Sequence, residues 1–436
     1  MRIIQLTPGT GSFYCGTCVR DNALVKALRR LGHDALMAPM YLPPTLDEAP
    51  ATTDAPLLFG GVNVYLQQKS SLFRKTPRWL DRVFDAPGLL KAAGARAGMT
   101  RASELGEITL SMLRGEEGNQ LKELDRLVEW LEIDGKPEVV CLSNILLLGL
   151  AREIRRRTGA AVVCTLQGED GYLDSLPEAD ARAAWKLLSE RAKDVDAFVA
   201  ISRYYGELMT RRAGLPADRV HVAHCGIDLE GYETTEERAG PPVLGYMARL
   251  APVKGLDTLV EAFIRIRKSG RLPNLKLKAA GTQTASDVPF LDRMRARLRE
   301  EGLESEAEFF PNVDRDQKLR FLKSLSALSV PTVYGESFGL YTLESMAAGT
   351  PVVQPRHAAF PEIVEATGGG VLYEPGDDPA ALAAAVTGLL SDPGRAREIG
   401  SRGRDAVFAD FSAEAMARRT AEIFERAVER RAAVPS

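Results

Sequence analysis

Two carboxylates eight positions apart, Glu336 and Glu344, bracket the segment Ser337-Phe338-Gly339-Leu340-Tyr341. Leu340, Leu343, Met346 and Ala347 fall at helical spacing, and Gly349 followed by Pro351 supplies a C-terminal stop. A helix is therefore expected to begin near Gly339 or Leu340. The amides of Gly339, Leu340 and Tyr341 would be donors at the positive end of that helix, and a glycine there lets a ligand approach the backbone closely. That is a seat for a phosphate. Glu336 lies just before it and Glu344 one turn inside, so both carboxylates can accept hydrogen bonds from hydroxyl groups on either side of a bound anion. The arrangement suits a ligand with polyols flanking a phosphate, as a nucleotide sugar has. The plain alternative is a core helix carrying two solvated acids.

A second group with chemical potential is Arg249 and Lys254, in the loop that leaves an expected strand at 243–247. Leu256, Leu259, Val260, Phe263 and Ile264 make one apolar face of the helix that follows. Two cations beyond a strand's carboxyl end can neutralise a diphosphate, arginine by bidentate contact and lysine as a point charge. A solvated basic pair is the alternative. Cys15-Gly-Thr-Cys18 is weaker as a metal or redox site, because the sequence holds no second Cys-x-x-Cys.

The elements needed to position these residues are legible as alternating strands and helices. Residues 2–6, a loop rich in small residues over 8–17 and containing Gly11, a helix over 21–31 and a strand over 34–39 form one βαβ unit. Residues 43–135 are less regular, with a turn and strand expected at 60–66. Strands then recur at 138–142, 161–166 and 197–201, separated by helices at 145–157 and 180–192. Alternation of this kind implies a parallel sheet covered on both faces. Gln167 directly follows one of these strands, where ligands of parallel sheets sit.

At 436 residues the chain is long for one core, and two domains are the expectation. It is 45% hydrophobic and 26% charged with a net charge of −3, which argues against nonspecific nucleic-acid binding through a basic whole-protein field. The N-terminal apolar run reads as a strand and not a signal peptide, and no stretch approaches the roughly 20 apolar residues of a membrane span. Five cysteines fit a reduced compartment, so a cytoplasmic protein is expected. Over 71–98, Arg74, Lys75, Arg78 and Arg82 mix with Phe73 and Trp79, which could form a peripheral membrane surface or an ordinary packed insertion.

Glu336, seven intervening residues and Glu344, with the trailing Ala347-Ala348-Gly349-Thr350-Pro351-Val352-Val353, closely resemble the signature of family-four retaining glycosyltransferases, the glycogen synthase-like group one of the GT-B fold. The likeness is tight from about 196 to 410 and looser before. It implies an α/β chain of two Rossmann-like, doubly wound parallel-sheet domains facing across a cleft. Residues 1–225 would bind the acceptor, with an insertion at about 43–135; 226–242 would be a linker; 243–411 would bind the donor; and a last helix over 412–430 would cross back onto the first domain.

The resemblance further implies transfer of a hexose from a nucleoside diphosphate sugar to a hydroxyl acceptor, whether glycan, lipid or small molecule. In it Arg249 and Lys254 serve the diphosphate, Glu336 the donor sugar and Glu344 the ribose. Ser337, Phe338, Gly339, Leu340, Tyr341, Gly281 and Val313 surround the donor, and Gly11 and Gln167 lie at the cleft. No cofactor or metal is implied, the nucleotide sugar being a co-substrate. Relatives often carry histidine at Gln167 and glycine at Pro311-Asn312, which bears on the acceptor side and on the nucleotide base respectively. A sugar-nucleotide epimerase of the same fold, or a nucleotide-sugar sensor without catalysis, are the alternatives.

Overall fold

The computed structural model describes residues 1–9, 16–46, 48–52, 59, 61–69, 73, 102–233 and 240–433. Gly11, Cys15 and, apart from Phe73, the segment 71–98 lie outside them, as do the expectations that rest on those residues. The chain divides into two compact units, Met1–His224 with Met416–Ser436, and Cys225–Ala415.

The first unit carries β1 (Arg2–Thr7), β2 (Asp34–Pro39), β3 (Val139–Leu142), β4 (Ala161–Leu166), β5 (Ala197–Ala200) and β6 (Val220–Val222), in the order β2-β1-β3-β4-β5-β6. The second carries β7 (Val243–Met247), β8 (Lys276–Gly281), β9 (Ala307–Pro311), β10 (Ala327–Leu328), β11 (Val352–Pro355) and β12 (Gly370–Tyr373), in the order β12-β11-β10-β7-β8-β9. Every pairing in both sheets is parallel. Strands covered on both faces read as unbroken apolar runs, and Ala161–Leu166 and Val243–Met247 are buried at every position. The order reverses between β1 and β3 in one sheet and between β7 and β10 in the other. Beyond the carboxyl ends of strands at such a reversal, the first loops diverge to opposite faces and leave a crevice.

Three local expectations are corrected. Residues 61–69 form the helix Gly61–Lys69, not a strand. Its inward positions are Asn63, Val64 and Gln67, and Gln67 donates to Glu123 at 3.0 Å, so the buried face is largely polar and leaves no apolar periodicity to read. The single helix expected over 145–157 is a 3-10 segment, Ile145–Leu150, followed by the helix Ala151–Thr158. Gly149 lies against Met112, where a β-carbon would stand 1.9 Å from the carbonyl oxygen. The helix expected to open at Asp21 begins earlier, at Gly16, and runs to Arg30. The described residues of the expected linker belong to the second unit: Ile227 pairs with Ser412, receives a bond at 2.9 Å from the amide of Ala413 and donates one at 3.0 Å to Phe411. No helix among the described residues is long and apolar enough to cross a membrane.

Candidate functional site

The helix Leu340–Ala347 opens on Gly339, which sits in the left-handed region at φ 85°, ψ 70°. Glycine takes that conformation without the steric penalty other residues meet. Phe338 before it is 1% exposed, so its ring belongs to the core. Phe360, fully buried in the next helix, packs its ring against Tyr341 at a tilt of 51° with centroids 6.5 Å apart, and the amide of Ala359 donates to the Glu336 carbonyl at 3.3 Å. The loop before the helix is thus pinned from a neighbouring element. The first amides of the helix have no intrahelical acceptor.

Around Glu336 the structure gathers three side chains. Its Oε2 accepts from Lys254 Nζ at 2.7 Å, from Tyr334 Oη at 3.1 Å and from Tyr341 Oη at 3.1 Å. Lys254 also donates to the Tyr334 hydroxyl. An ammonium has three N–H groups, so the third of Lys254 is left without a hydrogen-bond partner among the described residues. Lys254 follows β7 and Glu336 follows β10, so the pair straddles the reversal of the second sheet. Burial, reinforced by the Glu336 charge, pushes the Tyr341 hydroxyl well above its ordinary pKa, keeping it a neutral donor.

Arg249 lies on the loop after β7 with its side chain half exposed. Asp287 grips it in bidentate fashion, Nε to Oδ2 at 3.1 Å and Nη2 to Oδ1 at 2.9 Å. Asp287 also closes a capping box with Thr284, taking the Thr284 hydroxyl at 2.7 Å and amide at 2.9 Å. Burial works against its ionisation, but Arg249 and Thr284 outweigh that and hold its carboxyl below the usual range. The guanidinium keeps Nη1 clear of hydrogen bonds to described residues. Glu344 stands apart from this group, paired through Oε1 with Lys318 of the helix Arg315–Lys323 at 2.8 Å.

Gly281 ends β8 at φ 148°, packed so tightly that a β-carbon would lie 1.8 Å from the Ala248 oxygen. Its carbonyl accepts from the Asn312 amide at 2.8 Å, and the Asn312 side chain exchanges hydrogen bonds with the Gln283 backbone at 3.0 and 3.2 Å. Asn312 adopts φ 56°. Asparagine is among the few residues that tolerate this region, so the loop keeps a glycine-like bend without glycine. Val313 follows directly, half-buried.

In the first unit, Gln167 donates to the Ser143 carbonyl at 2.6 Å and lies 3.4 Å from Asp21. Asp21, fully buried, also accepts from Thr7 at 3.0 Å, Ser143 Oγ at 2.5 Å and Arg20 at 3.1 Å. These groups cluster beyond β1, β3 and β4, beside that sheet's own reversal.

The structure therefore brings Lys254, Glu336 and Tyr341 into contact, sets Arg249 beside the Gly281 loop, and separates Glu344 onto its own lysine. Sequence reasoning missed Tyr334, Asp287 and Lys318. Two of these left a signal: Thr284-x-x-Asp287 ahead of an apolar run is a capping-box pattern, and Lys318 occupies the apolar stripe shared with Phe321 and Leu322.

Known proteins match along the same division. Residues 105–230 match the model of Glycosyltransferase Family 4, and residues 233–406 that of Glycosyl transferases group 1. D-inositol 3-phosphate glycosyltransferase 2 of Catenulispora acidiphila is 29% identical over 245 residues, 54% of this chain and 57% of that protein's length. Glycogen synthase of Mycobacterium tuberculosis is 27% identical over 311 residues, 70% of this chain and 72% of that one. Among solved structures, sucrose-phosphate synthase from Thermosynechococcus elongatus superposes with TM-score 0.69 at 19% identity, over 97% of this chain and 98% of that one. Anabaena Alr3699/HepE in complex with UDP and glucose superposes with TM-score 0.67 at 16% identity, over 97% and 98%. With two consecutive family models over residues 105–230 and 233–406 and a doubly wound parallel sheet in each unit, the chain belongs to the family-four, group-one glycosyltransferases of the GT-B fold.

Proposed function

We propose that the chain is a retaining hexosyltransferase that takes a nucleoside diphosphate sugar as donor and a hydroxyl group as acceptor. The observation that carries this reading is the cluster of Lys254, Tyr334, Tyr341 and Glu336 at the strand reversal, beside the Gly339-led helix. In this reading the bond between the anomeric carbon and the diphosphate breaks as positive charge develops on the sugar. Arg249 Nη1, the third N–H of Lys254 and the first amides of the helix stabilise the departing diphosphate, as preorganised donors that need little rearrangement. Glu336 orients a hexose hydroxyl and Glu344 the ribose. The acceptor oxygen bonds to the anomeric carbon on the face the phosphate leaves, and its proton passes to the phosphate oxygen.

The reading uses no metal and no separate base, and it includes a cytoplasmic location. Peripheral membrane contact through about 71–98 belongs to it as well. The UDP and UDP-glucose complexes of HepE support a uridine donor as the first to try.

Calorimetric titration with UDP-, GDP- and ADP-sugars, with Glu344→Ala as control, tests the donor side. Selective binding weakened by the substitution is expected, and absence of binding by any of them would sink the reading. Incubating the donor that binds with a panel of glycan, lipid and small-molecule acceptors, with and without chelator, then reads transfer, anomeric configuration and metal dependence. An epimerised nucleotide sugar formed without acceptor would move the assignment to an epimerase.

A further inference from the structure

Lys318 has no part in the chemistry above, yet it is only 8% exposed. A lysine withdrawn from water is costly unless it is paired, and Lys318 pairs with Glu344, whose own side chain is only 13% exposed. The ion pair joins two helices from different crossovers, Arg315–Lys323 leading into β10 and Leu340–Ala347 leaving it. The position of Lys318 is fixed at its base by Asp314, whose side chain accepts from the Gln317 amide at 2.8 Å in a capping box, while the Lys318 amide donates to the Asp314 carbonyl at 2.8 Å. The ammonium meets Oε1 of Glu344, and Oε2 accepts no hydrogen bond from a described residue.

We propose that Lys318 is a positioning residue that sets how strongly the site depends on ribose hydroxyls, by clamping Oε1 of Glu344 so that Oε2 is presented to the 2′ and 3′ hydroxyl groups of the nucleotide. This rests on the donor reading above and goes beyond it by naming what makes Glu344 selective. A carboxylate swinging freely loses orientational entropy when a diol binds it. One held by a buried ammonium has already lost it, and still carries the negative charge that makes the hydroxyl contacts strong.

The test compares affinities for a nucleoside diphosphate and its 2′,3′-dideoxy form, using UDP, GDP or ADP according to which binds. In the unmodified chain the ribo form should bind at least tenfold more tightly than the dideoxy form. Lys318→Met should weaken the ribo form by about tenfold, the worth of one charge-assisted hydrogen bond, and leave the dideoxy form unchanged. Lys318→Arg, which keeps a cation, should retain the discrimination, and it carries the test if the methionine variant does not fold. Equal weakening of both ligands in Lys318→Met, or discrimination undiminished in it, overturns the inference while leaving the donor reading intact. Loss of discrimination in Lys318→Arg also overturns it. No binding of any nucleoside diphosphate to the unmodified chain overturns both.

Discussion

Removing the Arg249 guanidinium tests its proposed contribution to diphosphate binding. Asp287 occupies Nε and Nη2, so Nη1 is the nitrogen left for a ligand. A charge-assisted hydrogen bond to phosphate contributes about 1.5 to 3 kcal/mol, and the side chain is 49% exposed, so solvent screening favours the lower half of that range. Arg249→Ala should therefore weaken nucleoside diphosphate binding about 10- to 30-fold and leave the parent nucleoside unaffected. Arg249→Lys should not recover the loss, because one ammonium cannot both satisfy the buried Asp287 carboxylate and reach a phosphate as the fork does. Asp287→Asn keeps the cation but loosens its hold, and should cost about threefold. Folding should survive in the alanine variant, since the Thr284 hydroxyl and amide still serve Asp287. Calorimetric titration of nucleoside, monophosphate and diphosphate against the three variants reads the effect directly. Near-wild-type diphosphate affinity in Arg249→Ala, or an equal loss for the bare nucleoside, would refute the assignment.

Glu336→Gln should reduce turnover of the donor about 100-fold or more while diphosphate affinity changes little, because the amide cannot present a charged acceptor to three convergent donors; a loss confined to affinity would show the role to be misassigned. Gly339→Ala places a β-carbon 3.2 Å from the Tyr341 ring at φ 85°, so thermal unfolding should reveal a destabilisation of about 1–2 kcal/mol, and an unchanged midpoint would contradict the strain argument. Burial, with Arg426 and Arg430 outweighing Asp218, holds the His221 imidazole below its ordinary 6.5, so the fold favours its neutral form. Its contribution to stability is whole above about pH 6.5 and declines as pH falls through that value toward the depressed one, and His221→Gln should flatten this part of the profile of unfolding midpoint against pH.

The α/β alternation was legible because parallel strands covered on both faces leave apolar runs such as Ala161–Leu166, while the helices between them keep one apolar stripe. The backbone of the site was legible for a related reason. Gly339 and the stop at Gly349 are local signals, and the helix between them starts at Leu340. Hidden from the sequence were the partners. Lys254 and Glu336 are 82 positions apart, Arg249 and Asp287 38, Lys318 and Glu344 26. No local period records a pairing made by strand order. The helix Gly61–Lys69 was obscured because the polar side chains Asn63 and Gln67, the latter held by Glu123, lie on its inner face, which defeats any rule that equates inward with apolar.

Gly255 and Gly281 set a boundary on how this site can change through descent. A β-carbon at Gly255 would lie 1.8 Å from the Pro331 oxygen, and one at Gly281 equally near that of Ala248. In each case the obstacle is main chain, so no single compensating exchange elsewhere makes room, and each glycine is a dead end for stepwise substitution. The loops they seam together are therefore inherited as a unit. On the proposed donor reading, drift in donor preference would run through side chains mounted on that fixed frame, such as Asn312 and Val313, so two lineages could diverge in the nucleotide they accept while their loop backbones still superpose.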